Sequence, residues 1–132
     1  MPTLRRPWLA LALLPFVLFG LEPQAGAIRP AAAESFLTAI ADLPLAPGLS
    51  ELSDQGLVFD KPGGRIVEAY AAGQTSAAAV RAFYAETLPQ LGWQALGAGA
   101  GEAAWRREGE RLDLAVLSET GTILVRFTLR PE

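Results

Sequence analysis

The chain has 132 residues, a formal net charge of −3, no cysteine and no histidine. That length is enough for one domain. The missing residue types exclude thiol nucleophiles, disulfides, histidine general bases, Cys/His zinc sites and haem held by either side chain. Mild acidity is also wrong for nucleic acid, which selects a basic stripe, and it argues against docking on anionic lipid.

Residues 1–27 read as a secretory signal peptide. Arg5 and Arg6 form its positive start, and Trp8 to Leu21 is an uncharged apolar run. Ala25 and Ala27 place small residues at positions −3 and −1 for cleavage after Ala27; a second small triplet is Ala31–Ala33. Cleavage after Ala27 leaves 9 basic and 13 acidic residues, a charge of −4. The competing reading is a retained anchor over residues 8–21. As a helix that run spans about 21 Å, against a hydrocarbon core of about 30 Å, and Pro15 interrupts it. Arg5-Arg6-Pro7-Trp8-Leu9 is a partial match to a twin-arginine signal, but such signals serve proteins folded around cofactors and no cofactor site follows. The expected location is the periplasm or the medium, with inner-membrane anchoring as the alternative. An exported chain without cysteine is not a lipoprotein, because that lipid is attached to a cysteine.

Residues 28–53 read as a short helix and a linker. Phe36, Leu37 and Ile40 have helical spacing within the Ala-rich stretch Ala31–Asp42. A helix of about three turns is marginal alone, so it must dock or fray. Pro44, Pro47 and Gly48 exclude regular structure over Leu43–Leu49. This segment is expected to lie across the surface with Leu45 and Leu49 tucked in. The alternative is a Pro-containing segment that binds a partner.

Residues 54–132 form the expected domain. Gly56–Asp60 and Arg65–Ala71 flank the turn Lys61-Pro-Gly-Gly64, which predicts a β-hairpin with Val67, Ala69 and Ala71 on one face. Thr75 or Ser76 is placed to cap a helix from about Ala77. Val80, Phe83, Tyr84, Leu88 and Leu91 then fall on one helical stripe. Pro89 predicts an end or kink at Thr87–Leu88, with Gly92 closing the turn. Trp93–Leu96, Ala103–Glu108, Arg111–Leu117 and Thr122–Arg130 read as strands, with Gly97–Gly101 a flexible connection. The last strand alternates most cleanly, with Ile123, Val125, Phe127 and Leu129 inward. Short connections imply an antiparallel meander. The fold class is α+β: one antiparallel sheet in the order ββ-α-ββββ on a single main helix. Its expected core is Val67, Val80, Phe83, Leu88, Leu91, Trp105, Leu112, Leu114, Val116, Val125 and Phe127.

Val80, Phe83-Tyr84, Leu88-Pro89 and Leu91-Gly92-Trp93, followed by strands ending in a β-branched run, resemble a group of small, uncharacterised exported proteins of proteobacteria. The resemblance covers roughly Gly56 to Arg130 and rests mostly on packing residues. It implies a fold and an export route, and no activity or functional residue.

No catalytic constellation is legible. Gly97-Ala-Gly-Ala-Gly101 lacks the spacing and the following helix of a dinucleotide loop and reads as a hairpin loop. Glu108, Glu110 and Asp113 suggest paired carboxylates for glycoside hydrolysis, yet they sit beside Arg106, Arg107 and Arg111 and read better as solvated ion pairs. Ser76, Ser118 and Thr120 have no base, and no nucleophile elbow exists. Asp54 and Asp60 lack a third oxygen ligand at calcium-loop spacing. A carboxylate-only hydrolase stays as the third reading. No metal and no cofactor is expected.

The more informative surface is the outward row Arg126, Thr128 and Arg130, which Arg107 would join from another strand. One reading is an ordinary wet sheet face. The other is a site for an acidic partner or carboxylate ligand, with Leu124, Ile66 and Tyr70 making it partly apolar. The chain is therefore read as a non-enzymatic interaction or accessory module that contacts an envelope protein. A binder of a small apolar or acidic ligand, between helix and sheet or at Arg126 and Arg130, is the alternative.

Overall fold

The computed structural model describes residues 35–99 and 102–132. Seven strands make one antiparallel sheet: β1 (Leu49–Glu51), β2 (Leu57–Lys61), β3 (Gly64–Gly73), β4 (Gln94–Gly99), β5 (Glu102–Arg107), β6 (Glu110–Ser118) and β7 (Ile123–Pro131), with helix α1 (Ala77–Gln90) between β3 and β4. The spatial order is β1-β3-β7-β6-β5-β4, and β2 pairs with β3 on the same edge as β1. The α+β class and the single antiparallel sheet match the alternation in the sequence. The additional strand is β1, whose three residues pair with Ala71–Gly73 and are too few to give a periodic signal.

One face of the sheet is apolar because each strand alternates. Val67, Ala69 and Ala71 of β3 face the same side as Val125, Phe127 and Leu129 of β7, Leu112, Leu114 and Val116 of β6, and Trp105 of β5. Helix α1 covers this face with Val80, Tyr84 and Leu88, one every fourth residue, all buried. Phe83 and Leu91, expected in the core, are only partly buried against it, and Tyr84 takes the central place. The Tyr84 ring meets Phe127 edge-on at 5.5 Å and Phe83 at 5.0 Å.

Ser76 caps α1: its Oγ accepts the Ala79 N–H at 3.0 Å. The helix passes the expected stop at Thr87–Leu88 and runs to Gln90, with Pro89 in its last turn. So close to the end, Pro89 deprives the helix of one hydrogen bond and no more, since no further turns need to be built. The N–H groups of Leu91 and Trp93 both return to the Leu88 carbonyl at 3.0 Å, and Gly92 turns the chain at a φ of 86°. That left-handed position favours glycine.

The short helix expected over Ala31–Asp42 does not form in its described part. Ser35–Asp42 is a series of bends and a turn. Phe36 bridges Pro44, the Leu37 N–H donates to the Leu43 carbonyl at 3.0 Å, and the Leu45 N–H donates to the Ser35 carbonyl at 2.7 Å. Burial wins over weak local helix propensity: this looped segment sends Leu37, Ile40 and Leu43 into the core, followed by Leu45, Ala46 and Leu49. Leu45 and Leu49 are tucked in as the sequence suggested. Among the described residues the hydrophobic core thus begins at Leu37, ahead of residue 54 where the domain edge was drawn.

The signal segment, its cleavage residues Ala25 and Ala27, and the alternative anchor at residues 8–21 lie outside the described residues. No helix among the described residues is long and apolar enough to cross a membrane.

Candidate functional site

The sheet has a second face, and no element of the described chain covers it. Arg126, Thr128 and Arg130 project there because they alternate with the buried Val125, Phe127 and Leu129. Thr128 stands between Glu68 of β3 and Asp113 of β6. Arg126 stands between Tyr70 and Ala115, and Arg130 lies opposite Arg111. Like charges opposite each other repel, and Asp113 relieves this pair: its two oxygens accept from Arg111 Nε at 2.8 Å and Arg130 Nε at 3.2 Å. These partly exposed bridges order the face more than they stabilise the fold. The Tyr70 hydroxyl donates to the Glu68 carboxylate. That bond, with smaller contributions from burial and the Glu68 charge, raises the Tyr70 phenol above its ordinary pKa.

Arg126 differs from its neighbours. It is half-buried, and among the described residues it makes no ion pair. Its guanidinium lies near the Tyr70 phenol and acts on it electrostatically. A shallow depression of about 420 Å³ opens over Arg126, Thr128, Arg130, Arg111, Asp113 and Glu102. A planar guanidinium there is suited to receive a carboxylate in a two-point contact.

Arg107 does not join this row. It shares the apolar side of β5 with Trp105, so it projects toward the end of α1. Its guanidinium carbon lies 4.4 Å from the centre of the buried Trp93 ring. Its Nη1 donates to the Leu91 carbonyl at 3.0 Å. Arg107 is therefore a clamp between β5 and the helix C-terminus, combining a cation–π contact with a carbonyl cap. Arg106, one residue earlier, holds the outward place and pairs weakly with Glu132 at 3.5 Å.

On the helix side a groove of about 310 Å³ opens between α1 and the β4–β5 hairpin. Tyr84, Ala85, Ala95, Gly97, Ala103 and Trp105 line most of it. It exists because Ala95, Gly97 and Ala103 of the hairpin are small. The Trp105 indole N–H is shielded from water and has no acceptor among the described residues. A short apolar groove of this size sits at the lower bound for small-molecule sites.

The remaining candidates disperse. Glu110 and Asp113 lie three apart on β6 and so project to opposite faces, and Glu108 is in the turn before it at a φ of 50°. Ser118 Oγ donates to the Thr120 carbonyl at 3.2 Å. Gly97 and Gly99 belong to β4, which extends beyond Leu96 into the stretch expected to be loop, with a bulge between Ala95 and Gly97. Among the described residues, no three acidic side chains cluster to hold a metal. Two features had little sequence signal. The pairing of Asp113 with Arg130 joins residues 17 positions apart, and the groove arises from small residues that leave space. Comparison with protein-family models, with curated proteins and with solved structures gave no match.

Proposed function

We propose that this chain is an exported, non-enzymatic interaction module whose uncovered sheet face receives a carboxylate-bearing segment of an envelope protein. The observation that carries the reading is Arg126: a half-buried guanidinium at the centre of an open sheet face, flanked by Tyr70 and Thr128, with no ion pair among the described residues. Its neighbours Arg111 and Arg130 already share Asp113, which leaves Arg126 as the charge available to a partner. Rim charges steer an encounter, whereas a desolvated charge pair holds it. The test is co-purification from the envelope fraction of the native host with wild type and with Arg126→Glu. A discrete partner retained by wild type and by Ala78→Glu on the helix surface, and lost with Arg126→Glu, supports the reading. Equal recovery by all three contradicts it.

The groove between α1 and β4–β5 favours a second reading, a binder of a small apolar ligand. Its apolar lining and volume of about 310 Å³ are the specific observation. Native mass spectrometry for a co-purifying molecule, with a melting shift on its removal, distinguishes it from the first. An empty groove with no shift on delipidation counts against it.

A further inference from the structure

The two ends of the sheet are treated differently. At one end β4 carries a bulge between Ala95 and Gly97, a device that blunts an edge against pairing. At the other end the outer edge of β2 is unpaired among the described residues, and its first three residues, ahead of Asp60 and Lys61, carry no charge, proline or bulge. Leu57, Val58 and Phe59 are consecutive and 48 %, 50 % and 53 % exposed. Leu57 and Phe59 lie opposite Glu68 and Ile66 on the uncovered face, while Val58 lies opposite Val67 on the helix side. Three half-exposed apolar side chains on a free edge strand are the arrangement that soluble proteins avoid unless something pairs with it.

We propose that β2 pairs antiparallel with β2 of a second copy about a two-fold axis at Val58, joining the two sheets into one. The strand is self-complementary, which selects a second copy as its occupant. In a continuous antiparallel sheet, opposed residues must share a face, so only every second register is allowed. Centring on Val58 puts Leu57 of each copy opposite Phe59 of the other, with Ile66 beside them, and Val58 against Val58. Asp60 and Lys61 then lie beyond the paired residues, because 52–56 are outside the strand. Centring on Leu57 instead leaves Val58 and Phe59 opposite Gly56 and Gln55, which lie outside the strand. Centring on Phe59 sets Asp60 against Val58 and Lys61 against Leu57. One register alone unites all three apolar residues within the strand. A single strand pair buries little area, so the dimer is concentration-dependent.

The absence of native cysteine makes the register directly readable. The protein purified from its host is examined by sedimentation equilibrium up to about 100 µM, a range suited to a weak association. Single-cysteine variants Val58→Cys and Asp60→Cys, and a mixture of Leu57→Cys with Phe59→Cys, are oxidised under mild conditions. The account expects a wild-type dimer, a folded monomer for Phe59→Glu by circular dichroism and sedimentation, at least tenfold faster cross-linking for Val58→Cys than for Asp60→Cys, and mixed dimers from the pair. A wild type that stays monomeric overturns it and leaves the edge to a different partner. A dimer that persists in Phe59→Glu, or that cross-links equally at residue 60, overturns the β2 register.

Discussion

The phenol of Tyr84, on α1, accepts the N–H of Ala46 at 3.1 Å and donates to the carbonyl of Pro44 at 2.9 Å. One side chain thereby satisfies two buried backbone groups of an irregular segment 38 to 40 residues earlier in the chain. Buried backbone without a ladder partner is costly, and this hydroxyl is what lets residues 43–46 enter the core without forming a strand.

Tyr84→Phe keeps the ring against Phe127 and removes only the hydroxyl. Two buried groups then lose their partner, at about 1–3 kcal/mol for each. Urea denaturation is expected to show a lower midpoint with an unchanged slope, a net loss of about 2–4 kcal/mol. A loss near zero would mean that the segment rearranges freely.

Burial pushes the Tyr84 phenol well above its ordinary value of 10.0, opposed only in part by the Ala46 N–H. A pKa higher in the folded than in the unfolded state means that the folded protein holds its proton longer. This contribution is whole below the unfolded value and falls as pH rises above about 10, by up to about 1.4 kcal/mol per pH unit. Wild type is expected to lose stability steeply from pH 10 to 12, and Tyr84→Phe to lose less over the same range. Parallel profiles for the two would contradict the burial of this hydroxyl.

Gly73 lies where β1 crosses the end of β3, opposite Leu49. A Cβ there would overlap the Gly48 carbonyl oxygen, which is backbone and has no rotamer with which to yield. Gly73→Ala should therefore cost at least about 1–3 kcal/mol and expose amides of Leu49–Glu51 to faster hydrogen exchange. Gly109→Ala, whose Cβ would meet no neighbour but whose φ is 79°, isolates backbone strain without a clash and should leave exchange in β1 unchanged.

Leu88 is fully buried and Phe83 only partly so. Leu88→Ala is expected to cost about 2–5 kcal/mol. Phe83→Ala should cost less than the about 3–5 kcal/mol of a fully buried aromatic, because part of its ring keeps solvent contact in the native state. Reversal of this order by chemical denaturation would place Phe83 back at the centre of the helix stripe.

The sheet, the helix and the inward residues of β7 were legible because Ile123–Leu129 alternates and Val80–Leu88 repeats every fourth residue. The first part of the core was not. Leu37, Ile40 and Leu43 share a spacing compatible with a helix, and only the long-range bonds from Tyr84 and the pairing of Phe36 with Pro44 decide otherwise. Arg107 misled for a related reason: its charge suggests the wet face, but strand parity sends it to the apolar side, where Trp93 accepts it as a stacked cation. Of the outward row, Arg126, Thr128 and Arg130 could be read from parity alone. That Asp113 occupies Arg130 and leaves Arg126 without an ion pair among the described residues depends on strand order, which parity does not specify.

The most direct test of the interaction account is a photo-cross-linking amino acid placed at Thr128, beside Arg126, and at Ala78 on the exposed surface of α1, in protein expressed in its native host. One discrete protein adduct is expected from position 128, abolished when Arg126→Glu is added, and none from position 78. No adduct at position 128, or the same adducts from both positions, would contradict it.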